Sequence, residues 1–294
     1  MESRKIQRSG TTFYLYLPAS WCREHKISTD STVYLNRTTN GDLCVTPRKD
    51  EANLSSLKIE LTDNSPEVIN KMLIASYINP VKEFTLELKQ TINADQVLEH
   101  KKILGGLELI DFEETKISCQ TSLALSDPDI LLQGMIKKIL SISKLMKKEK
   151  DHELIKRYEE EIDRTNLLIN KSIITGLMYK RESKLRHIDL FYIGSISRLL
   201  EQLADILITL PDMQLVTVIE KMLNSLLELL TSLSYSKVIT FVKELEKLDK
   251  IKVSDLKSYK EKRMYSHLGH IAELLCDWVI TEEVDKNKSK HYIV

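Results

Sequence analysis

Two carboxylate pairs recur in the second half of the sequence, and they are the side chains best suited to chemistry. Segments 198–209 (RLLEQLADILIT) and 270–281 (HIAELLCDWVIT) share a Glu followed four residues later by an Asp. On a helix, this spacing places both carboxylates on one face, one turn apart. Adjacent carboxylates repel each other unless a cation neutralises them, so the pattern is typical of an oxygen-ligand site for a divalent ion. The predicted ligands are Glu201, Asp205, Glu273 and Asp277.

More acidic residues lie on the preceding predicted helix of each half. They are Glu159, Glu160, Glu161 and Asp163 in the first half, and Glu244, Glu246 and Asp249 in the second. We predict Glu159 and Asp163 as additional metal ligands, while His267 and His270 would suit a transition metal beside the second pair. A Glu-x-x-x-Asp pair is also common on a solvated helix face, and that alternative stays open. Its recurrence in both halves favours a metal site.

From residue 127 onward, apolar residues recur with helical spacing. Asp127, Pro128 and Asp129 form a helix start. Further helices are predicted over about 153–179, 183–210, 212–233, 237–247 and 254–283. Because the third and sixth helices carry the matching segments, we predict two related three-helix bundles within residues 126–284. Residues 285–294 are rich in charge and are predicted to be a flexible tail.

The first fifty residues have the alternation of short β-strands. Phe13, Leu15 and Leu17 fall on one strand face, and Asn40-Gly41-Asp42 separates two further strand-like runs, which predicts a hairpin. So few residues cannot bury a stable core alone, and a second copy of the chain is the natural way to complete one. We therefore predict a dimerising β-module over residues 1–50.

Residues 51–125 mix strand and helix periods. Extended runs at about 56–61 and 83–88 flank a helical stretch at 66–78, and a second helix is predicted over 94–103. Two strand-like runs within 107–121 complete a β-α-β-α-β-β order. This order predicts a small α/β layer with helices covering one face of a sheet.

Bulk composition excludes several classes of protein. The chain has 43 basic and 43 acidic residues, so a basic surface must come from local asymmetry.

Apolar runs such as 199–210 are interrupted by polar residues, and no secretory signal begins the chain, so we expect a cytoplasmic protein without membrane insertion. Without a Gly-rich phosphate loop or a nucleophile beside a base, we expect no enzymatic activity. The cysteines lack metal-site or redox spacing: Cys22, Cys44, Cys119 and Cys276.

The N-terminal segments RKIQRSG (4–10), TFYLYLP (12–18) and GDLCVTP (41–47) resemble the AbrB/SpoVT family of swapped-hairpin DNA-binding modules. The resemblance implies that two chains interleave their hairpins into one dimeric β-barrel, with basic residues of its surface on DNA. The residues carried over as DNA contacts are Arg4, Lys5, Arg8 and Arg23, followed by Lys26, Arg37 and Arg48. A module that dimerises the chain without contacting DNA is the alternative.

The helical half resembles PhoU, the phosphate-uptake regulator family, which consists of two three-helix bundles whose Glu-x-x-x-Asp motifs hold metal clusters. The resemblance implies bound iron, zinc, magnesium or manganese at the two motifs. In the second motif His270 replaces the family's arginine and Cys276 its small residue, which puts metal occupancy there in doubt.

Together, the two resemblances imply an archaeal type of fusion and a complete architecture. It is an α+β multidomain chain with a dimeric swapped-hairpin barrel, a small α/β middle region and an all-α PhoU-like pair of bundles. The implied function is transcription regulation linked to phosphate uptake, by a homodimer that binds DNA. The alternative is an adaptor that contacts a phosphate transporter ATPase or a sensor kinase without binding DNA.

Overall fold

The computed structural model describes residues 3–37, 43–47, 55–63, 65–91, 103–113, 115–121, 126–148, 151–179, 185–210, 213–252 and 259–290. The chain divides into two compact units, residues 1–52 and residues 53–294. Helices and strands both contribute, so the mixed α and β class predicted from the sequence is confirmed.

The N-terminal unit consists of two small sheets and one short helix. Its elements are β1 (Gln7–Ser9), β2 (Thr12–Tyr14), α1 (Ala19–Glu24), β3 (Tyr34–Arg37) and β4 (Leu43–Thr46). Strands β1 and β2 pair antiparallel, as do β3 and β4. The predicted Asn-Gly turn between β3 and β4 lies outside the described residues. These four strands form two separate sheets rather than one closed barrel, and the interleaved dimeric barrel stays a prediction.

Helix α1 ends in a Schellman motif. The Ile27 N–H donates to the Cys22 carbonyl at 2.8 Å, and the Lys26 N–H donates to the Arg23 carbonyl at 3.3 Å. Lys26 therefore takes the left-handed position that closes the motif, with φ at 54°. Glycine is the usual residue there because a β-carbon is strained. The motif fixes the direction in which the chain leaves α1.

The second unit begins with a four-stranded mixed sheet. Its elements are β5 (Ser55–Glu60), α2 (Pro66–Ile78), β6 (Val81–Glu87), β7 (Leu107–Glu113) and β8 (Lys116–Thr121). The spatial order is β5-β6-β8-β7, with β5 parallel to β6 and the other neighbours antiparallel. These elements lie where the sequence predicts them, whereas the helix predicted over 94–103 lies almost entirely outside the described residues.

One face of this sheet is covered by helices. Phe84, Leu86 and Ile117 are buried in one apolar cluster with Leu73 and Tyr77 of α2. Alternate residues of the same strands point the other way, and on that face the hydroxyls of Thr85 and Ser118 lie 3.2 Å apart, within hydrogen-bonding distance. The sheet thus buries one side and leaves the other polar.

Six long helices follow. They are α3 (Pro128–Lys148), α4 (His152–Met178), α5 (His187–Ile208), α6 (Met213–Thr231), α7 (Tyr235–Lys252) and α8 (Tyr259–Lys290). The start of α4 is fixed by Asp151, whose carboxylate accepts the Leu154 N–H at 3.0 Å. Helix α8 extends into the segment predicted as a flexible tail, where Lys286 pairs with Glu282 and Glu283 across one turn.

The helices pack as two groups of three. Helices α3, α4 and α5 contact one another, α7 contacts both α6 and α8, and the two groups meet through the pairs α3–α6 and α5–α8. The first helix of one group thus contacts the first helix of the other, and the third contacts the third. The shared core includes Met135, Ile196, Leu203, Leu223 and Leu275. None of the described helices has both the length and the hydrophobicity needed to cross a bilayer.

A buried charge network joins α5 to α8. Asp189 accepts hydrogen bonds from the Arg186 backbone N–H at 2.8 Å, from Arg186 Nη2 at 2.5 Å and from Trp278 Nε1 at 2.8 Å. Arg186 also pairs with Asp285 at 2.5 Å, and Tyr192 stacks on Trp278. The network satisfies a carboxylate that is buried between two helices.

We predict that Asp189→Asn lowers the free energy of unfolding by about 3 kcal/mol, because it leaves Arg186 half-buried without its main counter-charge. The measurement is urea unfolding at pH 7, read from a shifted midpoint with an unchanged slope. Burial alone would raise the pKa of Asp189, but the hydrogen bonds from Arg186 and Trp278 lower it. Its contribution is therefore present above the unfolded-state pKa and is lost below about pH 4.

The matched control is Asp285→Asn, which removes the more exposed partner of the same arginine. This change is expected to cost at most about 1 kcal/mol. Equal losses in the two variants would contradict a stabilising role for the buried carboxylate.

Candidate metal centre

Three carboxylates converge where α4 packs against α5. Oxygen atoms of Asp163 from α4, and of Glu201 and Asp205 from α5, all lie within 4.8 Å of one another. Asp163 and Glu201 are partly buried, whereas Asp205 is exposed. We call these three residues the carboxylate group. The first predicted pair and one predicted additional ligand are thus brought together.

Two contacts set the spacing of α4 and α5 beside the carboxylate group. A β-carbon on Gly194 would lie 3.0 Å from Ile173 Cδ1, so glycine permits close approach of the helices. One turn along α5, the Ser197 hydroxyl donates to Asn166 Oδ1 at 3.1 Å. Both contacts lie within a few turns of Asp163 and Glu201, and they hold the carboxylates at short range.

The carboxylate group holds protons at higher pH than ordinary carboxyls. Burial, followed by the charges of Asp205 and Asp163, raises the pKa of Glu201 to about 7. Burial and the charges of Asp205 and Glu159 raise the pKa of Asp163 to about 6. Burial also raises the pKa of Asp205. A cation that replaced these protons would relieve both desolvation and mutual repulsion.

Two further residues lie within electrostatic range. Glu159 stands one turn from Asp163, and its pKa is raised by burial and then by the charge of Asp205. Arg263 of α8 lowers the pKa of Asp205, opposing the effect of burial. No motif in the sequence indicates Arg263, since its approach to Asp205 depends on the packing of α5 against α8.

The second predicted pair is arranged differently. Glu273 and Asp277 are both exposed on α8, and within the described residues neither belongs to a group of three potential metal ligands. Glu244 instead pairs with Lys221 at 3.5 Å, and the side chain of Asp249 lies outside the described residues. Only the first half of the repeat therefore brings carboxylates from two helices together in the described part of the chain.

His267 and His270 also separate. His267 is buried, and neither of its ring nitrogens has a hydrogen-bond partner among the described residues. Burial lowers the pKa of His267, and the charges of Arg263 and His270 lower it further. His270 is exposed. The two imidazoles do not join a third ligand in the described structure.

The cations predicted to contact DNA are at the surface of the N-terminal unit. Arg4, Lys5, Arg8, Arg23, Lys26 and Arg37 are all exposed, and Arg48 lies outside the described residues. Arg8 is held over the Phe13 ring at 5.6 Å while its Nε donates to the Gly10 carbonyl at 2.8 Å. Its guanidinium is thus positioned at the β1–β2 turn.

The described side chains of the same unit form no buried core. Among its residues with described side chains, 3–35, 37 and 43–47, none is buried. Phe13 is 68% exposed and Leu35 60%, and Ile6, Leu15, Tyr16 and Leu43 are each more than half exposed. Apolar residues at strand spacing normally face a core. Their exposure leaves the apolar face of each hairpin uncovered.

Comparisons with known proteins add no assignment. The chain matches no protein-family model, and it is similar to no curated protein and no solved structure in these comparisons. The two family resemblances therefore stay predictions.

We predict that Glu201→Gln stabilises the cation-free protein at pH 8 by roughly 2 kcal/mol. A carboxyl with a raised pKa stabilises the fold fully below its unfolded-state value, and this contribution is lost as the pH rises toward about 7. Glutamine removes the charge, so the gain disappears at pH 4. The measurement is urea unfolding of both proteins at the two pH values.

The control is Glu273→Gln, which changes the aligned but exposed carboxylate of α8. It should leave the urea midpoint within about 0.5 kcal/mol of wild type at either pH, as is usual for a surface site. A Glu201→Gln protein that is less stable than wild type at pH 8 would refute the prediction that the charged Glu201 destabilises the cation-free fold.

Proposed function

We propose that this protein is a homodimeric, DNA-binding transcription regulator whose helical unit receives a cation or phosphate-linked signal. One observation carries the proposal: the N-terminal unit exposes its apolar strand residues and its cations together and buries none of its described side chains. A second copy of the chain would cover the apolar residues, and a polyanion would neutralise the cations.

Dimerisation follows from the energetics of a small β-unit. An isolated two-stranded hairpin is marginal in water, and the described strands of the unit form two such sheets. Burying large apolar side chains such as Phe13 and Leu35 in an interface contributes roughly 1.5–3 kcal/mol each. The resemblance to swapped-hairpin modules supplies the arrangement by which two chains would provide this burial.

DNA is the partner that fits the exposed cations. Arg4, Lys5 and Arg8 lie within one short stretch around β1, and Arg8 is positioned by its contact with Phe13. In a dimer each cation occurs twice, and phosphate contacts of this kind supply most of the salt-dependent affinity for DNA. Arg23, Lys26 and Arg37 are exposed further along the unit.

The signal would enter at the carboxylate group. Its described ligands are all oxygen atoms, which suit magnesium or manganese better than the softer metals zinc and iron. Asp163, Glu201 and Asp205 would hold the ion, with Glu159 nearby. The link between this signal and phosphate uptake rests on the resemblance of the helical unit to phosphate-uptake regulators.

The test of DNA binding is a band-shift titration with the promoter region of the chain's own gene, at several salt concentrations. The variant Arg4→Ala, Lys5→Ala, Arg8→Ala removes up to six phosphate contacts from a dimer. We expect the slope of log affinity against log salt to fall by up to about 5. A matched control removes three exposed lysines of the second unit, with the changes Lys71→Ala, Lys82→Ala and Lys144→Ala.

Sedimentation of the same proteins separates the two parts of the proposal. The arginine and lysine variants should remain dimers, while Phe13→Ser with Leu35→Ser should give monomers. A wild-type monomer would refute the proposal. A wild-type dimer without salt-sensitive binding would favour the adaptor that contacts a transporter ATPase or sensor kinase.

We predict that manganese raises the thermal midpoint of wild type at pH 7.5 by several degrees. Ligand at one hundred times its dissociation constant contributes about 2.7 kcal/mol, and each kcal/mol shifts a large domain by about 2–4 °C. The midpoint of Glu201→Gln should not respond, whereas Glu273→Gln should respond as wild type does. Equal loss in both variants would show that the two halves of the repeat bind metal alike, as the motifs alone imply.

A further inference from the structure

Helix α4 uses three separate faces. Ile155, Ile162 and Ile169 are buried in the core of the helical bundles. A second face carries Glu159 and Asp163 toward α5. The third face docks on the sheet and α2 through Arg164, Leu167, Leu168 and Lys171. One rigid helix thus joins the carboxylate group to the α/β layer.

The docking face is centred on Tyr77, a fully buried residue of α2. The buried Lys171 ammonium donates to the Tyr77 carbonyl at 2.8 Å and lies 4.4 Å from the centre of its ring. The Tyr77 hydroxyl donates to the Gly105 carbonyl at 2.8 Å. A β-carbon on Gly105 would lie 3.3 Å from Arg164 Cδ, so α4 packs closely there too.

The two sites are adjacent along α4. Asp163 and Arg164 are consecutive, so their side chains point about 100° apart around the helix axis. Arg164 also pairs with Glu161 at 2.7 Å, and Glu161 accepts from Lys138 of α3 at 3.2 Å. Close-packed interiors transmit a small shift of a helix to all of its neighbours, because they do not deform continuously.

We propose that α4 couples the charge of the carboxylate group to how tightly the α/β layer packs against α4. The contacts of Lys171 and Arg164 with that layer transmit the effect, and we call these two residues the joint. Charge on Asp163 and Glu201 pushes α4 away from α5, and neutralisation lets α4 settle against it. Because α2 is fastened to the same helix, neutralisation also tightens α2 and the sheet. The inference deepens the proposed function, since a bound cation would be the natural source of neutralisation.

The experiment is hydrogen–deuterium exchange of the full chain at pH 7.5, read over residues 66–87 and 107–121. The perturbation is Asp163→Asn with Glu201→Gln, which neutralises the group without any metal. We expect exchange in the α/β layer to slow about fivefold, the low end of typical coupling between sites. The matched control, Glu273→Gln with Asp277→Asn on α8, should leave it unchanged.

The joint is tested by adding Lys171→Met, which keeps a buried chain of similar length without the ammonium, or separately Arg164→Met. In either background the neutral pair, Asp163→Asn with Glu201→Gln, should slow exchange only in α4 and α5. If one joint variant fails to fold, the other decides. Unchanged exchange in the α/β layer of the neutral pair, or slowing that persists in the folded joint variants, would overturn the coupling.

Manganese added to wild type separates this inference from the cation site. Slowing by the neutral pair, with no effect of manganese on exchange or thermal midpoint, would uphold the coupling and reject the cation. A raised thermal midpoint with no change in the α/β layer for either perturbation would uphold the cation site and reject the coupling.

Discussion

Electrostatic repulsion and desolvation of three carboxylates are the constraint that the packing of α4 against α5 has to overcome. Glu201 and Asp205 are neighbours one turn apart on α5, and the packing of α4 on α5 brings Asp163 to them, so that oxygens of all three lie within 4.8 Å of one another. The helix contacts that impose this distance are close and specific, through Gly194 and the Asn166–Ser197 hydrogen bond. A fold that holds like charges together has to be stabilised elsewhere, and the buried network around Asp189 and the large shared core supply that stability.

The two units use burial in opposite ways. The helical bundles bury a large apolar core, in which Met135, Ile196 and Leu223 are fully enclosed. In the N-terminal unit the strands alternate as a half-buried sheet should, but the side that ought to be covered is exposed. Apolar patterning therefore produces a buried core in the second unit but leaves the described apolar residues of the N-terminal unit exposed, because a unit of residues 1–52 has too few residues to surround them.

Much of the architecture could be predicted from local pattern. Helical periodicity placed α3 to α8, and the β-α-β stretch and the hairpin of the α/β layer followed from alternation and turn residues. The spacing of Glu201 and Asp205 indicated a site, and the acidic run before it supplied Asp163. What the sequence did not contain was tertiary packing. The repeat predicted carboxylate ligands in both halves, but Glu273 and Asp277 are exposed on α8. Arg263 approaches Asp205, and Lys171 is buried against Tyr77, because particular helix faces pack together. Residue type and local spacing do not predict which faces these are.

The network between α5 and α8 also determines when the fold can be completed during synthesis. Arg186 and Asp189 begin the third long helix, but their partners Trp278 and Asp285 come about ninety to one hundred residues later. While the ribosome is still making α6 and α7, Asp189 can pair with Arg186, but the contacts that Trp278 and Asp285 supply are still missing. The pairing of α5 with α8, and with it the stability that this network contributes, is therefore established only after α8 has been synthesised.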